Sequence, residues 1–370
     1  MAGPTDKVSV EFERIENAKS FWSEIYRAKL KWKNEPEHPT QLFIKLPKIT
    51  KNAEKSDGSD MLPTLIDFTK RENLFHHVYG GTKIPNFPTP KVYYCEDYGD
   101  GGYGGLAAED LTDQMYAVEY IPGFDDPQIL RLLEALAGFH YQAFSSSDPR
   151  SQKERVDQFD YDHNIEESFA DTMFSSAKNL EEYRPEWFKG RLENLKWAYE
   201  KDYVRKALEH PRIRGLPWVL VHSDLNATNV LWRKGSKTDD LVAVIDFQMV
   251  CKGSMVSDII RILTLGTSYE NRTKNTDRYL EHYYNSLQKI AKDELKFTLE
   301  DVHKSYEDLF ALCSTFTLFG ISIYYQMYKE EVIKSAQVTV EEACEELLSR
   351  AKGIIEDMEK FGNRLENEKL

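Results

Sequence analysis

The sequence has little cysteine, and the four cysteines that it has are far apart. Cys95, Cys251, Cys313 and Cys344 include no C-x-x-C pair. A disulfide framework or a structural zinc site would need cysteines at short, paired spacings. The cysteines are therefore predicted to be reduced core residues, which indicates a cytoplasmic protein.

The sequence also lacks a long apolar run and an excess of positive charge. No segment approaches the roughly 18 consecutive apolar residues of a membrane helix. The first thirty residues are charged throughout and have no apolar region of the kind found in signal peptides. The net charge of −14 argues against a general nucleic-acid binder, which needs a basic face. We expect a protein that binds neither membrane nor nucleic acid and that tolerates a neutral or cationic small molecule.

The chain shows no internal repeat and no low-complexity tract, and 41% of its residues are hydrophobic. This composition is ordinary for a globular protein. With 370 residues, the chain is long enough for one bilobal unit or two domains. The sequence does not indicate an oligomeric state.

The most informative segment is Val219–Gln248. It reads V-L-V-H-S-D-L-N-A-T-N-V-L-W, then a polar turn, then L-V-A-V-I-D-F-Q. A short apolar run, 218–221, leads into the loop with His222 and Asp224, and the apolar runs 230–232 and 241–245 predict two strands. The Gly-, Ser-, Asp- and Lys-rich stretch 234–240 predicts a turn that joins these two strands into a hairpin.

Polar residues at the ends of these strands suit phosphoryl transfer. That reaction needs a carboxylate to accept the proton of the attacking hydroxyl, and oxygen ligands for Mg²⁺ on the nucleotide phosphates. The pattern H-x-D-L-x-x-x-N followed by a strand-end Asp is typical of a kinase catalytic loop. Asp224 is therefore the predicted base and His222 is predicted to brace the loop, while Asn229 and Asp246 are the predicted Mg²⁺ ligands. The alternative is a buried hairpin with solvated Asp and Asn residues at its turns.

The same segments resemble the kinase-like superfamily of small-molecule phosphotransferases, which includes aminoglycoside phosphotransferases and choline kinases. H-S-D-L-N-A-T-N-V-L-W and I-D-F-Q are most similar to its ecdysteroid-kinase-like (CHK kinase-like) branch. The resemblance implies an α+β, bilobal, protein-kinase-like fold. Residues 1–112 would form a nucleotide-binding N-lobe with an antiparallel sheet and one helix. Residues 113–370 would form a larger, mostly helical C-lobe with the catalytic loop and the acceptor-binding helices.

Two charged residues receive roles from this resemblance. Lys45 lies in an apolar predicted strand, 41–46, where a lysine is costly unless its ammonium group meets an anion. The family's lysine at this position pairs with the α- and β-phosphates and with a helix glutamate. Glu72, on the predicted helix 62–79, matches that glutamate. The alternatives are an edge-strand lysine that points to water and a solvated helix glutamate.

The resemblance also implies the remaining nucleotide contacts. Glu109 and Leu111 match an E-D-L motif at the hinge between the lobes, where backbone groups meet the adenine. Ser23 matches the end of the phosphate loop. The family usually has a G-x-G-K-G-F-x-S-like stretch there, whereas residues 16–23 read E-N-A-K-S-F-W-S and contain no glycine. This departure either weakens nucleotide binding or shifts the phosphate contacts to Lys19 and the hydroxyl groups.

Several local predictions concern the rest of the chain. The glycine-rich stretch 98–105 is predicted to be a long hairpin turn. Asp126 is predicted to cap a helix that has proline at its first position, and His140 on that helix is predicted to be a packed core histidine. Asp258 and Arg261 match a D-L-x-R motif of the family, and Asp258 is predicted to cap or brace the catalytic loop.

A protein kinase is disfavoured. Ser223 replaces the arginine of the protein-kinase loop, D-F-Q replaces D-F-G, and only the eleven residues 247–257 separate Asp246 from Asp258. The resemblance thus implies ATP- and Mg²⁺-dependent phosphorylation of a small-molecule alcohol, either steroid-like or xenobiotic. One alternative is a choline or ethanolamine kinase, which the acidic charge and many aromatic residues would suit. The other is an inactive nucleotide-binding pseudokinase, which the glycine-free loop would suit.

Overall fold

The computed structural model describes residues 8–15, 23–33, 38–48, 62–99, 102–145, 149–160, 163–236 and 240–369, with the backbone alone at 102–103, 149–152 and 163–169. The predicted phosphate-loop residues 16–22, including Lys19, lie outside the described residues. The described residues form two compact units. The first unit draws on Met1–Lys83, Pro88–Tyr116 and Leu231–Val250, and the second on Ile84–Phe87, Ala117–Val230 and Cys251–Leu370. The boundary between residues 112 and 113 stays a prediction.

The secondary structure of the described residues comprises the following strands and α-helices. The strands are β1 (Val8–Arg14), β2 (Ser23–Trp32), β3 (Gln41–Pro47), β4 (Val92–Gly99), β5 (Gly102–Glu109), β6 (Met115–Ala117), β7 (Val219–Val221), β8 (Val230–Arg233), β9 (Leu241–Val244) and β10 (Cys251–Gly253). The helices are α1 (Leu62–Tyr79), α2 (Asp126–Tyr141), α3 (Pro149–Val156), α4 (His163–Tyr183), α5 (Pro185–Phe188), α6 (Arg191–Asn194), α7 (Lys201–Leu208), α8 (His210–Arg214), α9 (Ser257–Leu265), α10 (Tyr269–Ala291), α11 (Leu299–Lys329) and α12 (Val340–Phe361).

The first unit is built on a five-stranded antiparallel sheet with the strand order β1-β2-β3-β5-β4. Helix α1 packs against β4 and β5 through a face that includes Leu65, Thr69, Glu72 and Phe75. These residues are three or four positions apart and so share one side of the helix. A smaller sheet, β6-β8-β9, completes the unit. This antiparallel sheet and its helix confirm the fold predicted for the N-terminal part of the chain.

The glycine-rich stretch 98–105 belongs to an antiparallel hairpin, as predicted, but it is strand at both ends, so the predicted long turn is wrong. β4 continues to Gly99 and β5 begins at Gly102. Gly105 has a φ of +108°, and a Cβ atom there would lie 2.3 Å from the carbonyl oxygen of Lys45. The glycines therefore allow β5 to approach β3 closely beside Lys45, which periodicity alone could not indicate.

Replacing Gly105 with alanine is expected to destabilise the protein by about 3 kcal/mol, because backbone strain and a steric clash add together. Gly235→Ala is the matched control. Gly235 also has a positive φ of +70°, but nothing lies within 4 Å of its added Cβ, so about 1 kcal/mol is expected. Urea unfolding of both variants measures the difference, and equal losses would contradict the proposed close approach of β5 to β3.

The second unit is mostly helical, as predicted for the C-terminal part of the chain. Helix α10 packs on α2, and the long helix α11 packs on α12, α4 and α9. The short antiparallel pair β7–β10 lies in the same unit. Among the described residues, α11 is the single helix long and apolar enough to cross a membrane, but 67% of its most apolar window is buried inside the protein. Such burial is typical of a core helix.

Helix α2 begins one residue earlier than predicted. Asp125, not Asp126, is the N-cap, and Pro127 follows within the first turn. The side chain of Asp125 accepts a hydrogen bond from the Gln128 N–H, and the Gln128 side chain accepts one from the Asp125 N–H. This reciprocal capping box satisfies two helix-end donors, which a cap at Asp126 could not do with the same partner.

His140 lies fully buried near the end of α2, where Nδ1 is 2.7 Å from the hydroxyl oxygen of Tyr283. Burial lowers the pKa of His140 to about 3. Between these two pKa values, the histidine therefore binds a proton in the unfolded chain, where its pKa is near 6.5, but not in the folded protein. His140 contributes this stability above about pH 6.5 and loses it as the pH falls toward 3.

Between pH 6 and pH 4, the unfolding free energy of the native protein is expected to fall more steeply than that of His140→Phe, by about 1.4 kcal/mol per pH unit. The variant starts from a lower stability because Tyr283 loses its partner, so the slope and not the absolute value is the readout. Denaturant unfolding at several pH values measures it. Parallel slopes for the two proteins would show that His140 is not held neutral.

Candidate active site

Lys45 is the centre of an ion-pair cluster in the first unit. Its ammonium nitrogen Nζ lies 3.0 and 2.8 Å from the two carboxylate oxygens of Glu72 and 2.6 Å from Oδ1 of Asp246. Lys45 comes from β3, Glu72 from α1, and Asp246 from the end of β9 in a left-handed backbone conformation with a φ of +69°. The structure thus brings together three of the predicted site residues, including a contact between Lys45 and Asp246 that sequence reasoning did not foresee.

The cluster keeps Lys45 charged. Burial alone would lower the pKa of this lysine, but attraction to Asp246 and Glu72 raises it above its ordinary value. The side chain of Lys45 is only 12% exposed. An ammonium group fixed in this way is a permanent positive charge in a partly water-excluded position, where its interaction with an anion is stronger than in bulk water.

A pocket opens beside this cluster, and its lining includes Lys45, Glu72 and Ser23. Gly105 and Gln248, which follows Asp246 in D-F-Q, line it as well. The wall from α1 is formed by Leu65, Phe68, Thr69 and Asn73. Ser23, the predicted end of the phosphate loop, therefore lies in the same pocket as the lysine that is predicted to meet the phosphates.

The predicted hinge residues lie at the end of β5, whose last residue is Glu109. The N–H of Glu109 donates to the Lys91 carbonyl oxygen, and the Glu109 carboxylate accepts from the Lys91 N–H. Leu111 lies two residues beyond Glu109, and the adenine contact of both residues stays a prediction. Between them, Asp110 receives the Nε–H of Arg27 over 2.5 Å. Burial alone would raise the pKa of Asp110, but hydrogen bonds from Arg27 and Thr112 lower it below its ordinary value.

The predicted catalytic loop lies in the second unit and follows β7. Asp258, fully buried at the start of α9, accepts hydrogen bonds from the N–H groups of His222 (2.7 Å) and Ser223 (2.9 Å). Ser223 adopts a positive φ of +69°, which turns the chain toward Asp224. Nδ1 of the buried His222 accepts the N–H of Asp224 over 3.3 Å. Asp258 and His222 therefore brace the loop, as their positions in the sequence suggested.

The carboxylate of Asp224 is held by three side chains. Oδ1 accepts Nη2–H of Arg261 at 3.0 Å and Nδ2–H of Asn226 at 3.1 Å. Nδ2 of Asn229 lies 3.3 Å from Oδ2 and 2.9 Å from the Asp224 main-chain oxygen. The predicted base and the predicted metal ligand Asn229 are thus neighbours within one loop.

Sequence reasoning missed Arg261 and Asn226 as site residues. Arg261 was matched to a family motif but given no role, although its position three residues after Asp258 predicts that both lie on one face of α9. Asn226 also accepts hydrogen bonds from the Thr228 N–H and hydroxyl group, over 2.9 and 2.7 Å. An Asn two residues after an Asp in a loop is a frequent turn former, and that local signal could have identified it.

The predicted metal ligands suit Mg²⁺ in their chemistry. Asp246 has a carboxylate. The side-chain amide nitrogen of Asn229 donates to Asp224, so the amide oxygen of Asn229 is the atom that could bind a metal. Mg²⁺ prefers such hard oxygen ligands and is commonly held by one or two protein groups together with substrate phosphates. In the described part of the chain, no group of three or more His, Cys, Asp or Glu residues could form an all-protein metal site. Each of the two residues therefore has the oxygen-ligand chemistry that Mg²⁺ needs, and their joint role as metal ligands stays a prediction.

Comparison with known protein families finds one family model that covers nearly the whole chain. The DUF1679 model, described as "Uncharacterized oxidoreductase dhs-27", matches residues 9–364. The Caenorhabditis elegans protein of that name is 24% identical over 82% of this chain, but the match covers only 38% of that relative. The word oxidoreductase thus describes a protein of which more than half lies outside the match.

A second C. elegans relative matches over almost its full length. "Uncharacterized kinase-like protein D1044.1" is 35% identical, over 96% of this chain and 94% of that protein. Among solved structures, the fold is similar to the GDP complex of a mutant of aminoglycoside 2'-phosphotransferase-IIIa, with a TM-score of 0.51, 12% identity and coverage of 92% of both chains. Identity this low shows the fold alone, and that fold is kinase-like. The chain belongs to the DUF1679 family, and both its fold and its relative at 35% identity are kinase-like.

Proposed function

We propose that this protein is an ATP- and Mg²⁺-dependent phosphotransferase that acts on a hydroxyl group of a small molecule. The observation that carries the proposal is the cluster of Lys45 with Glu72 and Asp246, all within 3.0 Å. Phosphoryl transfer depends on positioning and charge neutralisation, and an active kinase needs its lysine–glutamate pair formed. Taking three charged side chains out of water is costly. Their clustering at partly buried positions therefore favours a functional role over the alternative of solvated turn residues.

Several of the predicted site residues would bind the nucleotide and its metal ion. Lys45 would neutralise the phosphates, and Glu72 would hold it in place. Ser23 would contact phosphate from the same pocket, and the backbone groups of Glu109 and Leu111 would bind the adenine. Mg²⁺, held by Asp246 and Asn229, would neutralise the charge that develops on the phosphates.

Asp224 would orient the acceptor hydroxyl and accept its proton. In the transfer, the acceptor oxygen forms a bond to the γ-phosphorus and the bond from that phosphorus to the bridging oxygen breaks. The products are a phosphate ester and ADP, and the proton remains on Asp224 until it passes to solvent. His222 and Asp258 would keep the loop in the geometry that this step requires.

The acceptor that the branch resemblance supports is a steroid-like alcohol, such as an ecdysteroid, or a xenobiotic alcohol. All four cysteines are free thiols, which supports a reducing compartment such as the cytoplasm. Choline and ethanolamine remain alternative acceptors. They would need a site for a cationic head group, which the acidic net charge of −14 would favour.

The test is Mg²⁺-dependent ATP consumption across a panel of ecdysteroids, sterols, phenolic and glycosidic xenobiotics, choline and ethanolamine. Acceptor-dependent turnover, with the phosphate ester identified by mass spectrometry, would support the proposal and identify the acceptor class. ATP binding without turnover on any acceptor, and without slow ATP hydrolysis, would favour a pseudokinase. No ATP binding at all would contradict both readings.

A further inference from the structure

We propose that Arg261 is a positioning residue for phosphoryl transfer, which fixes Asp224 so that Oδ2 and not Oδ1 receives the acceptor proton. This inference rests on the proposed phosphotransferase function. Oδ1 of Asp224 accepts two short hydrogen bonds, from Arg261 at 3.0 Å and from Asn226 at 3.1 Å. Among the described residues, Oδ2 accepts a single, longer bond of 3.3 Å from Asn229. Because donors already occupy Oδ1, Oδ2 is the oxygen with lone pairs available to a substrate hydroxyl.

The guanidinium group of Arg261 is itself held in one orientation. Nη1–H donates to Oγ1 of Thr317 over 3.2 Å, and the guanidinium carbon lies 4.4 Å from the centre of the Phe316 ring. Both neighbours belong to α11, while Arg261 belongs to α9. The residue is only 3% exposed. A planar cation that is stacked on one side and hydrogen-bonded at its edge can fix a carboxylate in a way that a flexible lysine cannot.

The positive charge of Arg261 also compensates the negative charge of nearby carboxylates. The loop from His222 to Asn229 contains no lysine or arginine, yet it carries the Asp224 carboxylate and packs against the fully buried Asp258. Two carboxylates that meet the same loop repel each other unless a cation lies between or beside them. Arg261, one helical turn after Asp258 on α9, is the cation that contacts Asp224. The D-x-x-R spacing therefore places two residues on one face of α9: Asp258, which holds the loop backbone, and Arg261, which compensates the charge of Asp224.

The experiment compares Arg261→Lys and Arg261→Ala with a matched control, Arg272→Lys. Arg272 is also buried (2% exposed), also pairs with an aspartate, Asp357, and also stacks on a phenyl ring, at 5.3 Å from Phe310. Arg272 makes no contact with the catalytic loop in the described residues. Steady-state kinetics with the acceptor found in the panel would give kcat and the KM for ATP of each variant, and thermal melting would give the folded fraction.

We expect Arg261→Lys to lower kcat by about 10- to 100-fold and to leave the KM for ATP within about twofold, because the reacting carboxylate is misplaced while the nucleotide site is intact. Added guanidinium ion is expected to restore at least about tenfold of the kcat lost in Arg261→Ala, since it can occupy the vacated position. Arg272→Lys is expected to lower the melting temperature but to keep the kcat of the folded protein within about twofold.

Three results would overturn the positioning role. They are a native kcat in Arg261→Lys, a loss of activity in the Arg261 variants that only follows the loss of folded protein, and an unchanged Asp224 side-chain orientation in a crystal structure of Arg261→Lys. The crystal structure needs no turnover, so it tests the positioning role even without an acceptor. Absence of turnover by the native protein on every acceptor would instead overturn the proposed function.

Discussion

Replacing Asp224 with asparagine is expected to lower kcat for phosphorylation of the acceptor by about 10²- to 10⁴-fold, which is the range for loss of a positioned general base. Asparagine has nearly the same shape but cannot take the proton of the attacking hydroxyl. The affinity for ATP should change little, because the predicted nucleotide contacts are made by residues of the first unit such as Lys45. Acceptor-dependent ATP consumption measures the first quantity, and calorimetric titration with Mg-ATP measures the second.

The control for this substitution is Asp277→Asn in the same unit. The side chain of Asp277 is 94% exposed and its nearest ionic partner is Nδ1 of His303, at 3.6 Å. An exposed aspartate of this kind contributes little to stability, so native kinetics are expected. If Asp224→Asn kept more than about a third of the native kcat, Asp224 could not be the base.

The second large effect is expected from Lys45→Met. The kcat/KM for ATP should fall by about 10²- to 10³-fold, comparable to the loss of one preorganised charge donor at a reaction centre. The fall has two sources: the phosphates lose a fixed cation, and Glu72 and Asp246 are left facing each other without the charge between them. Titration with Mg-ATP should accordingly show weaker binding, in contrast to Asp224→Asn.

Two further variants make this result specific. Lys29→Met removes a lysine from β2 of the same sheet, where Nζ pairs with Glu13 at 2.8 Å but the side chain is 42% exposed, and native kinetics are expected. Glu72→Gln should lower kcat/KM less than Lys45→Met, since Lys45 would keep its contact with Asp246. Equal activity of Lys45→Met and Lys29→Met would remove Lys45 from the phosphate site.

The raised pKa of Lys45 sets the pH range of this cluster. A lysine whose pKa is higher in the folded state contributes its full stability below the unfolded value near 10.4 and loses it only as the pH rises through the raised value. Titration of Lys45 should therefore have no influence on ATP binding between pH 6 and pH 9.

Much of the local structure followed from patterns in the sequence. The alternation in residues 23–32 predicted β2 with the bounds that the structure shows, and helical spacing did the same for α1 at 62–79. The pattern of strand, turn and strand in 230–245 predicted β8 and β9 within one residue. These patterns are reliable where one face of an element is buried, because burial imposes the period of the backbone on the side chains.

The incorrect predictions concern interactions that leave no periodic pattern in the sequence. The N-cap of α2 is Asp125 because its side chain and that of Gln128 exchange hydrogen bonds, and Asp-Asp-Pro offered two equally good caps. The glycines at 102–105 read as a turn, but they lie in a strand where Gly105 approaches the backbone of Lys45. Glycine allows both outcomes, and only the neighbouring strand decides between them.

The sequence by itself determined the kinase-like class of this protein, since H-S-D-L-N-A-T-N and I-D-F-Q place the charged groups of the predicted phosphoryl transfer within short segments. It also determined that Asp258 and Arg261 share a helix face. Only the tertiary structure decided what those charges contact. Asp246 reaches Lys45 across 201 residues, and Arg261 reaches Asp224 across 37. Spacing along a chain reports local geometry, whereas the partner of a buried charge is chosen by the packing of distant elements, because a buried charge is stable only beside its counter-charge.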